Sequence, residues 1–270
     1  MLTPGLAPSG EGVLRRRRMS LAREAPPLAS PSLRHFGHVT LDQGAAGACF
    51  AFACAYAIER YYAANGVVAA PLISPGALYY PARRQEWAGA DPETVPALED
   101  TGTYPDLGMQ ALHGVGFVPW SVYPYPTNED TLYDPERMAA HVNAQPPPSV
   151  FAMGYDQKGL EWGVIRESGS ARIEAVEDAL RHRLPVIFGA QVDDAFMRDP
   201  SALVQRLDER RLVGGHMLCA DHVEPNGEVH GPNSWGAIAR RFRFARDVFG
   251  SDLVSDVIVI KAAPLMRVAT

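Results

Sequence analysis

What this 270-residue sequence has little of narrows its class before any motif is read. Cysteine is scarce, with only Cys49, Cys54 and Cys219. An odd, small number in a chain this long does not make a disulfide framework, so a reducing compartment fits best. No apolar stretch approaches the roughly 20 residues of a spanning helix, which argues against a membrane partner. The basic run Arg15–Arg18 has no apolar segment behind it, because charge interrupts Met19–Pro26. A conventional signal peptide is therefore not expected, and the expected location is cytoplasmic, or exported by a route that needs no such peptide. The net charge of −6 is mild and the basic run is local, which argues against nucleic acid as a partner. No internal repeat is visible.

What remains has ordinary globular composition, with enough length for one large domain or one domain of two lobes. Residues 1–30 are rich in Pro, Gly, Ser and Arg. They read as an N-terminal extension without its own core, either a mobile tail or a segment covering a cleft. Residues 31–270 read as the folded domain. Composition predicts a helix from about Ala48 to Ala64, ending at Asn65-Gly66. Ser74-Pro75 and Tyr104-Pro105 each open a short helix, separated by a polar loop over 85–101. Ser149–Met153 reads as a strand. A helix follows, with Ile173, Val176, Ala179 and Leu180 on one face. Strands are expected over Leu184–Val192, Gly215–Val223, from Val229, over Phe242–Phe244 and over Val254–Ile260, with a turn at Pro225-Asn226-Gly227. Helices thus dominate about 42–148 and strands about 149–265. That is an α+β pattern of two unlike lobes.

The chemistry starts at Asp42–Ala53, where glycines and small residues lead into Cys49 at the first turn of the predicted helix. Unpaired N–H groups and the helix dipole favour thiolate there. Taken alone, such a cysteine is more often a buried packing residue. Two downstream motifs reverse that reading. Gly214-Gly215-His216 places an imidazole in a strand after two glycines that permit close approach. Pro232-Asn233-Ser234-Trp235-Gly236 follows the turn at 225–227, and a hairpin there returns Asn233 to His216. A thiol, an imidazole to share its proton and an amide to orient that imidazole are the parts of a nucleophilic site.

These residues resemble those of the papain-like cysteine peptidases, the papain and cathepsin family (C1). Gln43-Gly44 falls on the family's oxyanion glutamine, Cys49 on its nucleophile, His216 on its general base, and Asn233-Ser234-Trp235-Gly236 on its Asn-Ser-Trp-Gly. Ser74-Pro75, Tyr123-Pro124-Tyr125 and Pro185-Val186 support the likeness, which spans about Leu33 to Ile260. The resemblance implies a two-lobe α+β fold, with the active-site cleft between a helical lobe and a β-barrel-like lobe. It implies a thiol protease, a cysteine endopeptidase acting on peptide or protein substrates through a thioester, with no cofactor and no metal. Cys49, His216, Asn233 and Gln43 would be catalytic, and Gly102, Thr103, Gly215 and Trp235 would bind substrate. It also implies a zymogen, with residues 1–30 as inhibitor, although that extension is shorter than the usual propeptide.

Several positions depart from the family. Ala46 replaces a cysteine of the extracellular members, so a familiar disulfide cannot form, as in a bacterial or phage-type member. Phe50 replaces the usual Trp, and Thr103 replaces a glycine and narrows the cleft wall. His216 and Asn233 lie further downstream of Cys49 than the family's roughly 130–150 residues. No paired-histidine loop of the cathepsin B kind is found.

Other readings compete for the same residues. His216-x-x-Cys219-x-x-His222 has metal-ligand spacing, but residues three apart on a strand face opposite ways. Cys54 and Cys219 read as packing residues, and Arg206–Arg211 as a solvated face. His35, His38, His113, His141, His182 and His230 read as surface or loop residues, and Trp87, Trp120 and Trp162 as core or cleft rim. A catalytically silent peptide-binding protein and a transpeptidase or ligase are the functional alternatives.

Overall fold

The computed structural model describes residues 25–37, 41–67, 69–91, 93–236 and 239–264. Its axis is helix α1 (Cys49–Ala64), free of Gly and Pro and buried on all sides from Phe50 to Tyr62. Such a helix is stabilised by packing around its whole circumference. The Asn65 side chain closes it by donating to the Tyr61 carbonyl at 2.8 Å. Helix α2 (Pro75–Arg84) begins as expected, with the Ser74 hydroxyl accepting from the Ala77 N–H at 3.1 Å and Pro75 in the first turn. Helix α3 (Pro105–Val115) comes so close to α1 that a Cβ on Gly108 would lie 2.2 Å from the Phe50 ring. Helices α4 (Glu129–Leu132), α5 (Pro135–Asn143) and α6 (Pro148–Tyr155) complete this side. Tyr56, Tyr79, Met109, Leu112, Phe117 and Met138 share its core.

Helix α6 corrects the strand expected over Ser149–Met153. Pro148 takes the first-turn position that proline favours, and Val150 and Gly154, one helical turn apart, are the buried residues. A short apolar run alone does not separate helix from strand.

The β side contains β1 (Glu161–Val164), α7 (Gly169–Arg181), β2 (Val186–Asp193), α8 (Asp194–Arg198), β3 (Leu203–Val204), β4 (Leu212–Ala220), β5 (His222–Val223), β6 (Val229–Trp235), β7 (Ala239–Phe244), α9 (Arg246–Gly250) and β8 (Val254–Ala262). Two four-stranded sheets form, in the orders β1-β8-β2-β4 and β3-β7-β6-β5. Phe188 packs edge-to-face on Phe242, Phe244 and Phe249, with centroids 4.9–6.0 Å apart, and so ties β2 to β7.

The single strand expected over Gly215–Val223 is two strands, β4 and β5, one in each sheet. The break is at Asp221, whose fully buried carboxylate accepts from Arg60 of α1 at 3.0 Å and from Arg241 of β7. Its N–H donates to the His230 carbonyl at 3.0 Å. His230 is a further correction, because it is buried, 3.3 Å from both Glu228 and Arg34. Trp87 is 37 % exposed and outside the core.

Residues 26–33 lie along α7 and β5. Arg183 donates to Pro26, the Leu28 N–H to Arg181, and the Val223 N–H to Pro31, at 2.8, 2.8 and 3.1 Å. The rest of the segment expected to cover the cleft, residues 1–24, lies outside the described residues. No helix among the described residues is long and apolar enough to cross a membrane.

Candidate active site

Three chain segments converge on the start of α1. The first is the turn before it. The Gly44 N–H donates to Asp42 Oδ1 at 2.8 Å, and Gly44 has φ of 59°, a conformation that glycine adopts without steric cost. This turn holds Gln43 from four directions. Its N–H donates to the Ser234 carbonyl (2.7 Å) and its carbonyl accepts from Tyr125 (3.0 Å). Its Nε2 donates to the Ala46 carbonyl (2.7 Å), and its Oε1 accepts from the Ser234 hydroxyl (2.5 Å). One Nε2 hydrogen is left for another acceptor.

The second segment is Cys49 itself, the first residue of α1, preceded by an Ala48 that supplies no side-chain cap. The third is β4 with β6. His216 stands opposite Ala190 of β2 and receives Asn233 from β6, Nε2 to Oδ1, at 2.9 Å. The Ser234 N–H donates to the same Oδ1 at 2.8 Å, which fixes the fully buried Asn233 amide with its oxygen toward the ring. Nε2 therefore carries the imidazole proton and Nδ1 the lone pair. Trp235 stacks on the ring with centroids 4.5 Å apart and planes 28° apart.

Burial pushes the Cys49 thiol up from its ordinary value, against the N–H groups of Met217, Phe50 and Cys49 that favour thiolate. The Asp100 charge adds to the rise. The direction is opposite to that expected from the helix terminus alone, because desolvation outweighs the N–H groups. Burial also lowers His216 to about 4, with the Asn233 hydrogen bond acting the other way. Both shifts oppose charge, so burial favours a neutral resting pair of thiol and imidazole over the ion pair.

Of the substrate-side residues read from the sequence, Trp235 covers His216, Gly215 is exposed next to it, and Thr103 is partly exposed. Gly102 joins the site through Gly47. A Cβ on Gly47 would meet the Gly102 nitrogen at 3.1 Å. Sequence reading gave no role to Ser234, which holds Gln43 by side chain and backbone. It also placed Asp100 in a surface loop, yet Asp100 accepts from the Gly47 N–H at 3.0 and 3.1 Å.

This architecture is the papain-like fold. Xylellain, a cysteine protease from Xylella fastidiosa, superposes with a TM-score of 0.69 at 22 % identity, covering 90 % of this chain and 89 % of that one. Procathepsin B S9 from Trypanosoma congolense gives 0.60 at 15 % identity, over 93 % and 82 %. A Carica candamarcensis cysteine protease solved with E-64 gives 0.56 at 16 % identity, over 90 % and 100 %. No protein-family model and no curated protein sequence matches the chain.

Proposed function

We propose that the chain is a cysteine endopeptidase that hydrolyses peptide bonds through a thioester. The observation that carries this reading is the His216–Asn233 bond of 2.9 Å, which leaves Nδ1 as the basic nitrogen, on the strand whose next residue, Met217, has a backbone group that favours the Cys49 thiolate. The likeness to cysteine proteases supports it.

Cys49 Sγ attacks the substrate carbonyl while its proton passes to His216 Nδ1. The Cys49 N–H and the free Gln43 Nε2–H receive the developing oxyanion. His216 protonates the leaving amine as the thioester forms, then takes a proton from the water that hydrolyses it. Asn233 holds the ring in its tautomer throughout. The charged states that burial disfavours at rest arise only during this exchange, next to donors already in place.

The test is incubation with E-64 followed by mass measurement of the intact protein and of the Cys49 peptide. One adduct on Cys49, with loss of turnover of a fluorogenic peptide, is expected. Absence of an adduct refutes the reading. An adduct on a protein that never cleaves peptides moves it to ligation or silent binding.

A further inference from the structure

We infer that Asp100 is a positioning residue that clamps the nucleophile's loop to the Gly102–Thr103 wall of the same lobe. The inference rests on the peptidase reading for its kinetic consequence, but the geometry stands by itself. Asp100 bonds two elements directly and reaches a third through one of them. Both carboxylate oxygens accept from the Gly47 N–H, at 3.0 and 3.1 Å, two residues before Cys49. Oδ1 also accepts from the Tyr79 hydroxyl of α2 at 2.6 Å. That hydroxyl in turn accepts from the Gly102 N–H at 3.0 Å. One carboxylate thus links the Cys49 loop, α2 and the Gly102–Thr103 wall.

The clamp is braced from behind. The Arg83 guanidinium lies 3.9 Å over the Tyr79 ring and donates to the Glu99 carbonyl (2.7 Å), the Asn143 side chain (2.5 Å) and the Val142 carbonyl. The residue before Asp100 and the ring that bonds it are held by the same buried arginine.

A Cβ on Gly47 would lie 3.1–3.3 Å from Gly102, Tyr79 and Asp100, so tight a fit that these neighbours would have to give way by a few tenths of an ångström. The loop is therefore pressed to the wall and hydrogen-bonded there. Ala46, beside Gly47, cannot supply the disulfide that the family resemblance associates with this position. The carboxylate gives the same loop a non-covalent tie. The tie has an electrostatic cost, because the Asp100 charge acts against the Cys49 thiolate. A group present at that cost is better explained by geometry than by activation of the thiol.

Three variants separate these roles. Asp100→Asn keeps an oxygen for Gly47 and Tyr79 but removes the charge. Tyr79→Phe keeps the charge but releases Gly102. Asp100→Ala removes both. For each, the rate of Cys49 alkylation by iodoacetamide is measured from pH 5 to 10, with kcat and KM on a fluorogenic peptide. Asp100→Asn is expected to shift the alkylation midpoint to lower pH and to keep kcat within about threefold. Tyr79→Phe is expected to leave that midpoint in place and raise KM about five- to tenfold. Asp100→Ala is expected to lower kcat at least tenfold and to shift the midpoint as Asp100→Asn does. An Asp100→Ala protein that folds and keeps the parent's kcat and midpoint overturns the inference, as does an Asp100→Asn protein that loses kcat as fully as the alanine variant. If the parent cleaves no peptide, the peptidase reading fails while the alkylation series still tests whether Asp100 acts on Cys49.

Discussion

His216 makes the resting state of the site measurable without any substrate. Burial lowers its pKa from 6.5 to about 4. In the unfolded chain the ring takes up its proton near 6.5, and in the native protein only near 4. Between those values the unfolded state binds more protons, so stability falls as pH drops through this window and the loss is complete below it. At 1.36 kcal/mol per unit, the loss is about 3 kcal/mol. Other groups titrate in the same window, so the quantity to measure is a difference. Urea unfolding of the parent and of His216→Gln, at half-unit steps from pH 7.5 to 4, cancels whatever the two share. The parent is expected to lose about 3 kcal/mol relative to the variant, with most of the change between pH 6.5 and 4. The acid limb of kcat/KM should fall at the same low pH, as a property of the coupled pair. A flat difference refutes a depressed His216. A difference of opposite sign, with the parent gaining on acidification, means a native imidazolium paired with thiolate and overturns the neutral resting pair.

Three further outcomes follow from the packing. Gln43→Ala should lower kcat on a peptide substrate by about 10²–10³ with little change in KM, as expected for loss of one oxyanion donor. Gly108→Ala should drive a methyl into the Phe50 ring, 2.2 Å away, cost about 1–3 kcal/mol and lower Tm visibly in a calorimetric scan. Asp221→Ala should cost about 3–5 kcal/mol in a denaturant titration, because it strips the buried Arg60 of its hydrogen-bonded carboxylate and leaves only Glu59, 3.6 Å away. Asp221→Asn should cost less.

The site was more legible in the sequence than the path of the chain around it. Cys49, His216 and Asn233 each sit beside a local signal that is weak alone and strong only in this chain order: a helix start after small residues, a pair of glycines, and a turn that returns one strand to another. Gln43 and Trp235 came with them through the family likeness. Asp100 carried no local signal, because its partners Gly47 and Tyr79 are far away along the chain and its own neighbourhood is polar. The strand break at Asp221 was hidden for the same reason, since its causes are Arg60 and Arg241. Ser149–Met153 was misread because its short apolar run, Val150–Met153, fits either period. The thiol's shift was missed because a helix dipole can be read from sequence and the depth of burial cannot.

The buried contact of Arg60 with Asp221 also bears on alignment. Cys49 and Arg60 lie on one helix, about 16 Å apart at helical rise. His216 and Asp221 lie at the two ends of one extended stretch, about 16 Å apart at strand rise. Helix and strand are in contact, with the Met217 backbone acting on the Cys49 thiol toward one end and the Arg60–Asp221 bond of 3.0 Å at the other. They behave as two rails of equal length, pinned at the end away from the reaction. The buried Arg60–Asp221 pair thus fixes the spacing of helix and strand about three helical turns from Cys49.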